Sequence, residues 1–566
     1  MPEQNTRRNF LKFSTLAGLG ITANPLSAFS TTTKEEENNN AETITPIKHG
    51  QQIVSLLQTT DVHCQVHPHD ELFWENGKSV FRKTGGYANL ATYFDMARKK
   101  NPNTFIIDTG DMFQGSELSV KTTGKALQPI LNAMNYNLFI PGNWEVVYYK
   151  ENMQKLLGGL NAPKICSNMY HDLGEGKKGE HIFPPYYTWN AAGIKIGFVS
   201  YTDPLVPLRQ SPAYSKGIIY TFPEENLAYY VKVLKEQEQC DFIILLSHLG
   251  LSQQIALANK PECEGVDYIF GGDTHERVRK PIQCKYSKVV EPGAFGSFVG
   301  RLDLVVENGK IIKEHYHLDE ISAKLYKPNA AVQALIATHE QPFKKDITKV
   351  VGHSTIPLYR YFVVENPIDT FIIDALMWKV KPDIVLSNGF RFCPPNTTRD
   401  ATGNIPISEG YIFDMLPVDS TVRTAKVSGK QIKEWLEKEL NNVFAKDASK
   451  RLGGWVVKFK GMKVEFKAFE EMGNRVKSVT VNGEKLDAGK MYVVSACERD
   501  GDPDTMLCRI PNVKDGTNTP FTLHEVIKEY LAKNSPVTPN PERNAIILDA
   551  PSTMLTQVYG EDYNFV

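Results

Sequence analysis

Acidic, amide and imidazole side chains recur directly after short apolar runs in the first half of the sequence. The runs IVSLLQTT, TFII, NLFI, DFIILL and VDYIF are followed within a few residues by Asp61, His63, Asp111, Asn143, His248, Asp273 and His275. Carboxylate, amide and imidazole groups are the ligands of divalent ions in hydrolytic sites. A single such residue at a strand end is usually a cap or turn residue, but the repetition is hard to attribute to capping. The pattern therefore predicts a metal site.

The number of candidate ligands favours two ions rather than one. Paired ions in hydrolases lie about 3.5 to 4 Å apart and share a ligand. With one shared carboxylate, the seven candidates provide four protein ligands for each ion and leave positions for water and substrate oxygens. Such a site suits hydrolytic attack on a tetrahedral, polyanionic centre.

The elements that must position these ligands alternate between strands and helices. Each apolar run is typical of a buried strand, and patterns such as YANLATYFDMARKK and EENLAYYVKVLKEQEQ predict helices between them. This order predicts an α/β layered domain with its site at one sheet edge. RLDLVVENGKIIKEHYHLDEIS predicts a closing hairpin around an Asn-Gly turn, and NAAVQALIATHEQPFKKDITKVVG predicts a connecting helix.

A second unit with its own strands and helices begins near residue 351, and a charged leader begins the chain. Arg7 and Arg8 precede a mildly apolar stretch, which is typical of a twin-arginine export signal and predicts a periplasmic protein. The predicted organisation is a signal peptide over 1–30, a disordered linker over 31–49, a domain with the two-metal site over 50–325, a linker helix over 326–350, and a C-terminal domain over 351–566.

Composition excludes several classes of function. The 566 residues are 41% hydrophobic and 23% charged, as in a folded multidomain protein, and 64 Lys plus Arg balance 65 Asp plus Glu. This balance lacks the basic excess typical of nucleic-acid binding, and no stretch after the leader is apolar enough for a membrane span. The eight cysteines lack CxxC spacing. Cys263 with Cys284, or Cys497 with Cys508, are local disulfide options, and isolated thiols are the alternative.

The motif order D-x-H, G-D, G-N-x-E, S-H and G-x-x-H resembles the calcineurin-like metallophosphoesterases, and with its second domain the chain resembles their 5'-nucleotidase branch. The resemblance implies an N-terminal two-sheet core flanked by helices and a C-terminal α/β domain of the 5'-nucleotidase type. It also implies that one ion is held by Asp61, His63, Asp111 and His275, and the other by Asp111, Asn143, His248 and Asp273. Asp273 stands where His is commoner in the family, so manganese is favoured, with zinc or iron as alternatives.

The sequence departs from the nucleotidases where they act on the leaving group and the nucleoside. Their turn G-N-H-[DE] uses a His oriented by an Asp three residues later, and Trp144 and Val147 occupy these positions here. Their motif N-G-G-G-[IV]-R appears as SNGFR, residues 387–391, and their late G-G-D-G-[FY] stretch appears as ERDGDPDTMLCR. The metal ligands are therefore retained while the nucleotide-binding motifs are altered.

This profile resembles the SoxB thiosulfohydrolases, a branch of the same superfamily, which share G-x-W-E, G-F-R, DTGDMFQGS and IFPPY with this sequence. The resemblance implies that the protein releases sulfate from a cysteine-linked thiosulfonate on a SoxYZ-type sulfur carrier protein. Arg391, Asp111 and Asn143 are the predicted catalytic residues, and Arg391, Asn388 and Trp144 are predicted to bind the substrate.

Alternatives stay open at several of these positions. The chain as a whole also fits a periplasmic 5'-nucleotidase or nucleotide-sugar phosphohydrolase, or a metal-binding homologue without catalytic activity. Trp144 is either the wall of an apolar channel for a partner's peptide arm or a ring packed under the turn. Arg391 either binds an anion through its planar fork or forms a salt bridge between domains.

Overall fold

The computed structural model describes residues 50–387, 393–451, 455–499, 501–540 and 543–555. The predicted signal peptide and linker, residues 1–49, lie outside the described residues, as do the predicted substrate residues Asn388 and Arg391. Among the described helices, none combines the length and apolar content needed to cross a membrane.

The N-terminal part of the chain forms two main sheets. Its strands are β1 (Gln51–Thr59), β2 (His69–Glu75), β3 (Lys78–Thr84), β4 (Thr104–Asp108), β5 (Leu138–Phe139), β6 (Met169–Asp172), β7 (Lys178–His181), β8 (Tyr186–Ala191), β9 (Ile194–Thr202), β10 (Ile218–Tyr220), β11 (Phe242–His248), β12 (Tyr268–Phe270), β13 (Ile282–Gln283), β14 (Lys288–Val290), β15 (Phe298–Glu307) and β16 (Lys310–Glu320). One sheet has the order β16-β15-β1-β4-β5, and the other has the order β13-β14-β12-β11-β9-β8.

Helices cover the outer faces of this two-sheet core. They are α1 (Tyr87–Lys100), α2 (Glu117–Thr122), α3 (Leu127–Ala133), α4 (Tyr149–Gly158), α5 (Val206–Arg209), α6 (Leu227–Lys232) and α7 (Leu251–Ala258). Leu56 and Ile107 of the first sheet share a core cluster with Phe198 and Leu246 of the second, so the sheets pack face to face. Strand β11 is buried along its whole length, which explains its uninterrupted apolar run.

The predicted closing hairpin and connecting helix are both present. Strands β15 and β16 pair in antiparallel register, and the turn residues Asn308 and Gly309 have φ values of 52° and 70°, as two-residue hairpin turns require. The chain then forms α8 (Ala330–Glu340), which packs against α1 and α3, and the short α9 (Lys344–Ile347). The connecting helix therefore lies on the N-terminal domain.

The strands of the C-terminal part are β17 (Val350–Ser354), β18 (Ile384–Ser387), β19 (Ile405–Ser408), β20 (Thr421–Ser428), β21 (Lys458–Lys460), β22 (Met462–Phe466), β23 (Val476–Val481), β24 (Glu484–Lys485), β25 (Met491–Cys497), β26 (Met506–Leu507), β27 (Ile510–Pro511), β28 (Lys514–Thr522) and β29 (Ala545–Ile547). They form a five-stranded sheet, β21-β18-β25-β20-β28, and a four-stranded sheet, β24-β23-β22-β29. The helices of this part are α10 (Pro367–Val380), α11 (Glu409–Met415), α12 (Gly429–Phe444) and α13 (Leu523–Asn534). The predicted two-domain α/β fold is confirmed.

Candidate metal centre

The predicted ligands follow the carboxyl ends of strands in both sheets. Asp61 and His63 come after β1, Asp111 after β4 and Asn143 after β5, and these three strands are parallel neighbours. His248 is the last residue of β11, and Asp273 and His275 follow β12, its parallel neighbour. Since parallel strands end at the same sheet edge, each sheet brings its ligands to one place.

Three imidazoles surround one carboxylate oxygen at this edge. The Oδ1 atom of Asp61 lies 3.3 Å from Nε2 of His275, 3.7 Å from Nε2 of His63 and 3.8 Å from Nε2 of His248. The second carboxylate, Asp111, has its Oδ2 atom 3.2 Å from Nε2 of His248 and 3.8 Å from Nε2 of His63. All these atoms therefore face a common centre.

Backbone groups fix the orientation of the imidazoles. Nδ1 of His63 lies 3.0 Å from the carbonyl oxygen of Gln114, and Nδ1 of His248 lies 2.7 Å from that of Thr109. A carbonyl oxygen can only accept, so each Nδ1 donates its proton and each Nε2 presents a lone pair to the centre. This is the tautomer that a metal ligand needs.

The carboxylates are held in the same way, each by the oxygen that faces away from the centre. Oδ2 of Asp61 accepts from Oγ1 of Thr60 at 2.6 Å and from the backbone N–H of Asp273 at 3.0 Å. Oδ1 of Asp111 accepts from the backbone N–H of Trp144 at 2.8 Å. The other oxygen of each carboxylate remains available to a cation.

The cluster fits divalent ions. Asp61 Oδ1 is fully buried and receives no well-aligned hydrogen bond, although imidazole nitrogens surround it. Two sets, Asp61 with His63 and His275, and Asp61 with Asp111 and His248, each place their ligand atoms within 4.8 Å of one another. A cation between these atoms would satisfy a buried oxygen that otherwise costs free energy. In this arrangement Asp61 is common to both sets, whereas Asp111, the predicted bridge, belongs to the second set.

Burial and neighbouring charges shift the pKa values of the candidate ligands in opposite directions. Burial by itself raises the pKa of Asp61, but the positive charges of His248, His275 and His63 lower it below its usual value. Burial raises the pKa of Asp111 well above its usual value despite His248. Burial lowers the pKa of His63, whereas the carboxylates of Asp111 and Asp61 outweigh burial and raise that of His248. A divalent ion would relieve this conflict by holding the carboxylates ionised and the imidazoles neutral.

Asn143 and Asp273, the other predicted ligands, form a hydrogen-bonded pair beside this cluster. Nδ2 of Asn143 donates to Oδ1 of Asp273 at 2.6 Å. Nη1 of Arg209 lies 3.2 Å from Oδ2 of Asp273 and 2.9 Å from Oδ2 of Asp203. Nε2 of Gln210 donates to Oδ1 of Asn143 at 3.4 Å. The structure thus brings five of the seven predicted ligands to a common centre and places Asn143 and Asp273 beside them. Arg209 and Gln210 are contacts that the sequence pattern does not indicate.

The ligand turns adopt a strained backbone. Asp61, His63, Asp111, Asp273 and His275 have φ values of 51°, 49°, 62°, 86° and 60°. Non-glycine residues with positive φ are uncommon and concentrate at functional sites. Two glycines are required beside them, because a Cβ on Gly142 would lie 2.3 Å from Oδ1 of Asp111 and one on Gly272 would lie 2.2 Å from Oγ1 of Thr60.

Glu145 supports these turns, a role that the sequence analysis missed. Its buried carboxylate accepts from the backbone N–H groups of Asp111 at 3.0 Å, Met112 at 2.8 Å and Gly142 at 2.6 Å. It therefore ties the loop after β4 to the loop after β5. The acidic residue of the G-N-x-E motif is the sequence signal for this role.

A cavity of about 400 Å³ lies between the domains, and its wall includes Arg209 and Gln210, which contact Asp273 and Asn143. We refer to it as the inter-domain cavity. The N-terminal domain contributes Trp144, Arg209, Gln210 and Tyr214 to its wall, and the C-terminal contributors include Arg360, Leu386, Cys497, Arg499, Cys508 and Arg509. Trp144 is half-buried at this wall. Cys263, Cys497 and Cys508, candidates for local disulfides on sequence grounds, are free thiols.

Two family models match the chain. Residues 54–277 match the calcineurin-like phosphoesterase model, and residues 350–497 match the model of the 5'-nucleotidase C-terminal domain. The chain therefore combines a calcineurin-like phosphoesterase region with a region that matches the 5'-nucleotidase C-terminal domain, in that order along the sequence. Calcineurin-like phosphoesterases bind two divalent metal ions, which agrees with the cluster of Asp and His side chains.

Curated relatives and solved structures share this organisation. The 5'-nucleotidase of Vibrio cholerae is 24% identical over 543 residues, covering 86% of this chain and 91% of that protein. YfkN of Bacillus subtilis, a trifunctional nucleotide phosphoesterase protein, is 25% identical over 508 residues and 80% of this chain, but the chain spans only 33% of its length. The B. subtilis endonuclease YhcR is 21% identical over 419 residues and 70% of this chain, and the chain again spans only 33% of that protein's length.

Two structures from Thermus thermophilus are similar in fold over nearly their whole length. The sulfate thiohydrolase SoxB has a TM-score of 0.79 at 21% identity, covering 89% of this chain and 98% of that chain. A 5'-nucleotidase precursor has a TM-score of 0.74 at 21% identity, covering 88% of this chain and 100% of that chain. At this identity the similarity establishes the fold.

Proposed function

We propose that this protein is a two-metal thiosulfohydrolase that releases sulfate from a cysteine-linked thiosulfonate on a SoxYZ-type carrier protein in the periplasm. The observation that carries the proposal is the turn over residues 142–145. Its backbone keeps the metal-holding contacts, because Trp144 N donates to Asp111 and Glu145 binds the N–H groups of Asp111 and Gly142. One side chain of the turn differs from the nucleotidases, because Trp144 stands where they carry His.

The leaving group explains why this exchange is compatible with hydrolysis. An alkoxide leaving from a nucleotide benefits from a general acid, whereas a persulfide sulfur leaves readily without one. Val147, where the nucleotidases place the Asp that orients their His, is buried in the 3₁₀ turn Glu145–Tyr148. Both members of that dyad are therefore replaced by apolar groups while the metal cluster persists.

The proposed reaction is a single displacement at the terminal sulfur. A bond forms between a water oxygen and the sulfonate sulfur, the sulfur–sulfur bond breaks, the carrier cysteine leaves as a persulfide anion, and the protons of water pass to solvent. When bound, the metal pair lowers the pKa of that water and offsets charge on the sulfonate oxygens. Asp61, His63, Asp111, Asn143, His248, Asp273 and His275 would hold the two ions, with manganese favoured.

Within the chain, Asp111 and Asp61 are fixed by Trp144 N, Thr60 and Asp273 N, so their free oxygens are preorganised before substrate arrives. Arg391 is proposed to bind the sulfonate, with Asn388 and Trp144 lining the path to it. Among the described wall residues of the inter-domain cavity, the aromatic rings are Trp144 and Tyr214, both from the N-terminal domain.

The second candidate is a 5'-nucleotidase or nucleotide-sugar phosphohydrolase, favoured by the identity shared with the Vibrio cholerae 5'-nucleotidase over 86% of the chain. A third is a metal-binding homologue without activity. The test uses full-length protein loaded with manganese and two substrates in parallel: a cysteine-linked thiosulfonate peptide, scored for sulfate, and AMP, scored for phosphate.

We expect sulfate release without phosphate release, and little change in sulfate release in a Trp144→Phe control. Trp144→His tests the leaving-group argument, because it restores an imidazole at the turn and should favour AMP more than the thiosulfonate. Rapid phosphate release with no sulfate would assign the protein to the nucleotidases. Two bound ions with neither product would favour the inactive homologue.

A further inference from the structure

Arg209 differs from the other arginines of the inter-domain cavity in the acidic residue with which it forms an ion pair. Arg360 pairs with Asp369 at 3.0 Å, Arg509 binds Glu439, and Arg499 binds Asp502 and the carbonyl of Leu208. None of these acids is a candidate metal ligand. Arg209 instead pairs with Asp273, which lies at the metal cluster, and with Asp203.

Arg209 and its two acidic partners, Asp203 and Asp273, are buried and carry one more negative than positive charge. A cation bound to Asp273 would offset the excess negative charge. The side chains of Asp203, Asp273 and Arg209 are 2%, 8% and 14% exposed. Two carboxylates thus face one guanidinium in a partly dry site, where uncompensated charge is costly. Asp273 is also the acid that replaces the family's usual neutral His. A cation bound to Asp273 would take up this added charge, so Arg209 would need to balance Asp203 alone.

The guanidinium also has hydrogen-bonding capacity left. Both ion pairs use Nη1, which leaves Nη2 outside them, and the buried Nε has no hydrogen-bond partner among the described residues. Arg209 lines the inter-domain cavity beside Trp144, so its guanidinium is next to the space that a substrate would occupy. A planar guanidinium binds the oxygens of sulfate-like and phosphate-like groups through charge-assisted hydrogen bonds.

We infer that Arg209 is an anion-binding residue of the inter-domain cavity, where it recognises an oxygen of a tetrahedral oxyanion while offsetting the charge that Asp273 adds. This inference rests on the two-metal part of the proposed function but not on thiosulfonate chemistry. It assigns a substrate-recognition role to the N-terminal domain, next to the metal cluster, in addition to that proposed for Arg391.

The test measures anion binding to manganese-loaded full-length protein by titration calorimetry, with inorganic sulfate and inorganic phosphate as separate probes. Removing Arg209 alone would leave Asp203 unpaired and could unfold the chain, so Arg209→Met is combined with Asp203→Asn. The Asn keeps the oxygen that accepts from the N–H of Leu205 at 2.8 Å. Asp203→Asn alone is the matched control, and Arg499→Met removes a second cavity arginine.

We expect the double variant to keep two manganese ions and its melting temperature but to bind the better anion at least about tenfold more weakly, the loss expected for a charge-assisted hydrogen bond. Asp203→Asn should bind the anion at least as tightly as the wild type, because it removes a carboxylate that pairs with Arg209, and Arg499→Met should stay within about twofold of the wild type. Arg209→Lys in the Asp203→Asn background should recover part of the affinity, since it restores charge without the planar fork.

Unchanged anion affinity in the folded, metal-loaded double variant would overturn the inference, as would a wild type that binds neither anion. Tighter binding of sulfate or of phosphate identifies which oxyanion the site prefers, and either supports the role of Arg209. A wild type that binds two ions and an anion but hydrolyses neither test substrate would contradict the proposed function and leave this inference supported.

Discussion

The metal cluster and the inter-domain cavity adjoin each other but are built on different principles. The candidate ligands of the cluster come from strand ends of one domain, and backbone groups hold several of them, as Gln114 O holds His63 and Trp144 N holds Asp111. The wall of the cavity comes from loops, strand ends and helices of two domains and includes large side chains such as Arg209 and Trp144. The difference indicates that the candidate metal ligands are positioned within one domain, whereas the shape of the cavity depends on how the two domains meet.

Removing a central ligand should break the cluster most completely. We expect Asp111→Ala to lower the hydrolysis rate by at least about 10³-fold, since metal ions supply several kcal/mol of transition-state stabilisation. It also removes the acceptor of Trp144 N. Metal content measured by mass spectrometry should fall with the rate. Asp95→Ala, an exposed aspartate on α1, is the matched control and should retain both. Full metal content and rate in Asp111→Ala would contradict the assigned site.

Weakening Glu145, which holds the loops of the metal cluster, should lower the hydrolysis rate less than removing a ligand. Glu145→Gln keeps one acceptor oxygen but presents an amide N–H₂ toward backbone N–H groups of Asp111, Met112 and Gly142. We expect the rate to fall about 10- to 100-fold, as for other outer ligands of metal sites, and the free energy of unfolding to fall by about 1–3 kcal/mol. Rate assays and urea unfolding measure the two effects.

The control for this change is Glu236→Gln, whose side chain is 65% exposed, and it should alter neither quantity. If Glu145→Gln lost stability but kept its rate and metal affinity, Glu145 would serve the fold alone. The cluster would then be less dependent on its backbone supports than we infer.

A change at the domain interface should affect stability and its pH dependence rather than the metal ligands. Asp414 on α11 accepts from Nε2 of Gln65 of the other domain at 3.3 Å, and burial raises its pKa to about 7. Between its ordinary pKa of 3.8 and this value, the folded chain holds a proton that the unfolded chain has released. Stability should therefore fall as pH rises through this window, by at most about 1.4 kcal/mol per pH unit from this group.

Asp414→Asn should remove this part of the slope, so the variant should gain stability relative to the wild type between pH 5 and pH 7. Urea unfolding at several pH values measures the difference, with Asp95→Asn as control. Parallel pH profiles for wild type and variant would show that Asp414 does not titrate in this range. This is the smallest expected effect on activity, because Asp414 is not among the predicted metal ligands.

Particular residues show how far prediction from sequence reaches here. Strand ends after β1, β4, β11 and β12 were identified from apolar runs alone, because a buried strand must be apolar and must end where its polar residues begin. The fold and the positions of the ligand candidates follow from that local rule together with the family resemblance. Asn388 and Arg391, which lie outside the described residues, stay predictions.

The order of the strands and helices, the ligand types and the Trp at position 144 can be read along the chain, since each is a local feature of the sequence. Three contacts emerge only when the chain is folded: Asp61 Oδ1 lies between three imidazoles, Glu145 ties two loops together, and Arg209 reaches Asp273. The physical reason is distance along the chain: Arg209 and Asp273 are 64 residues apart, and no local pattern encodes which side chains meet when two sheets and two domains pack.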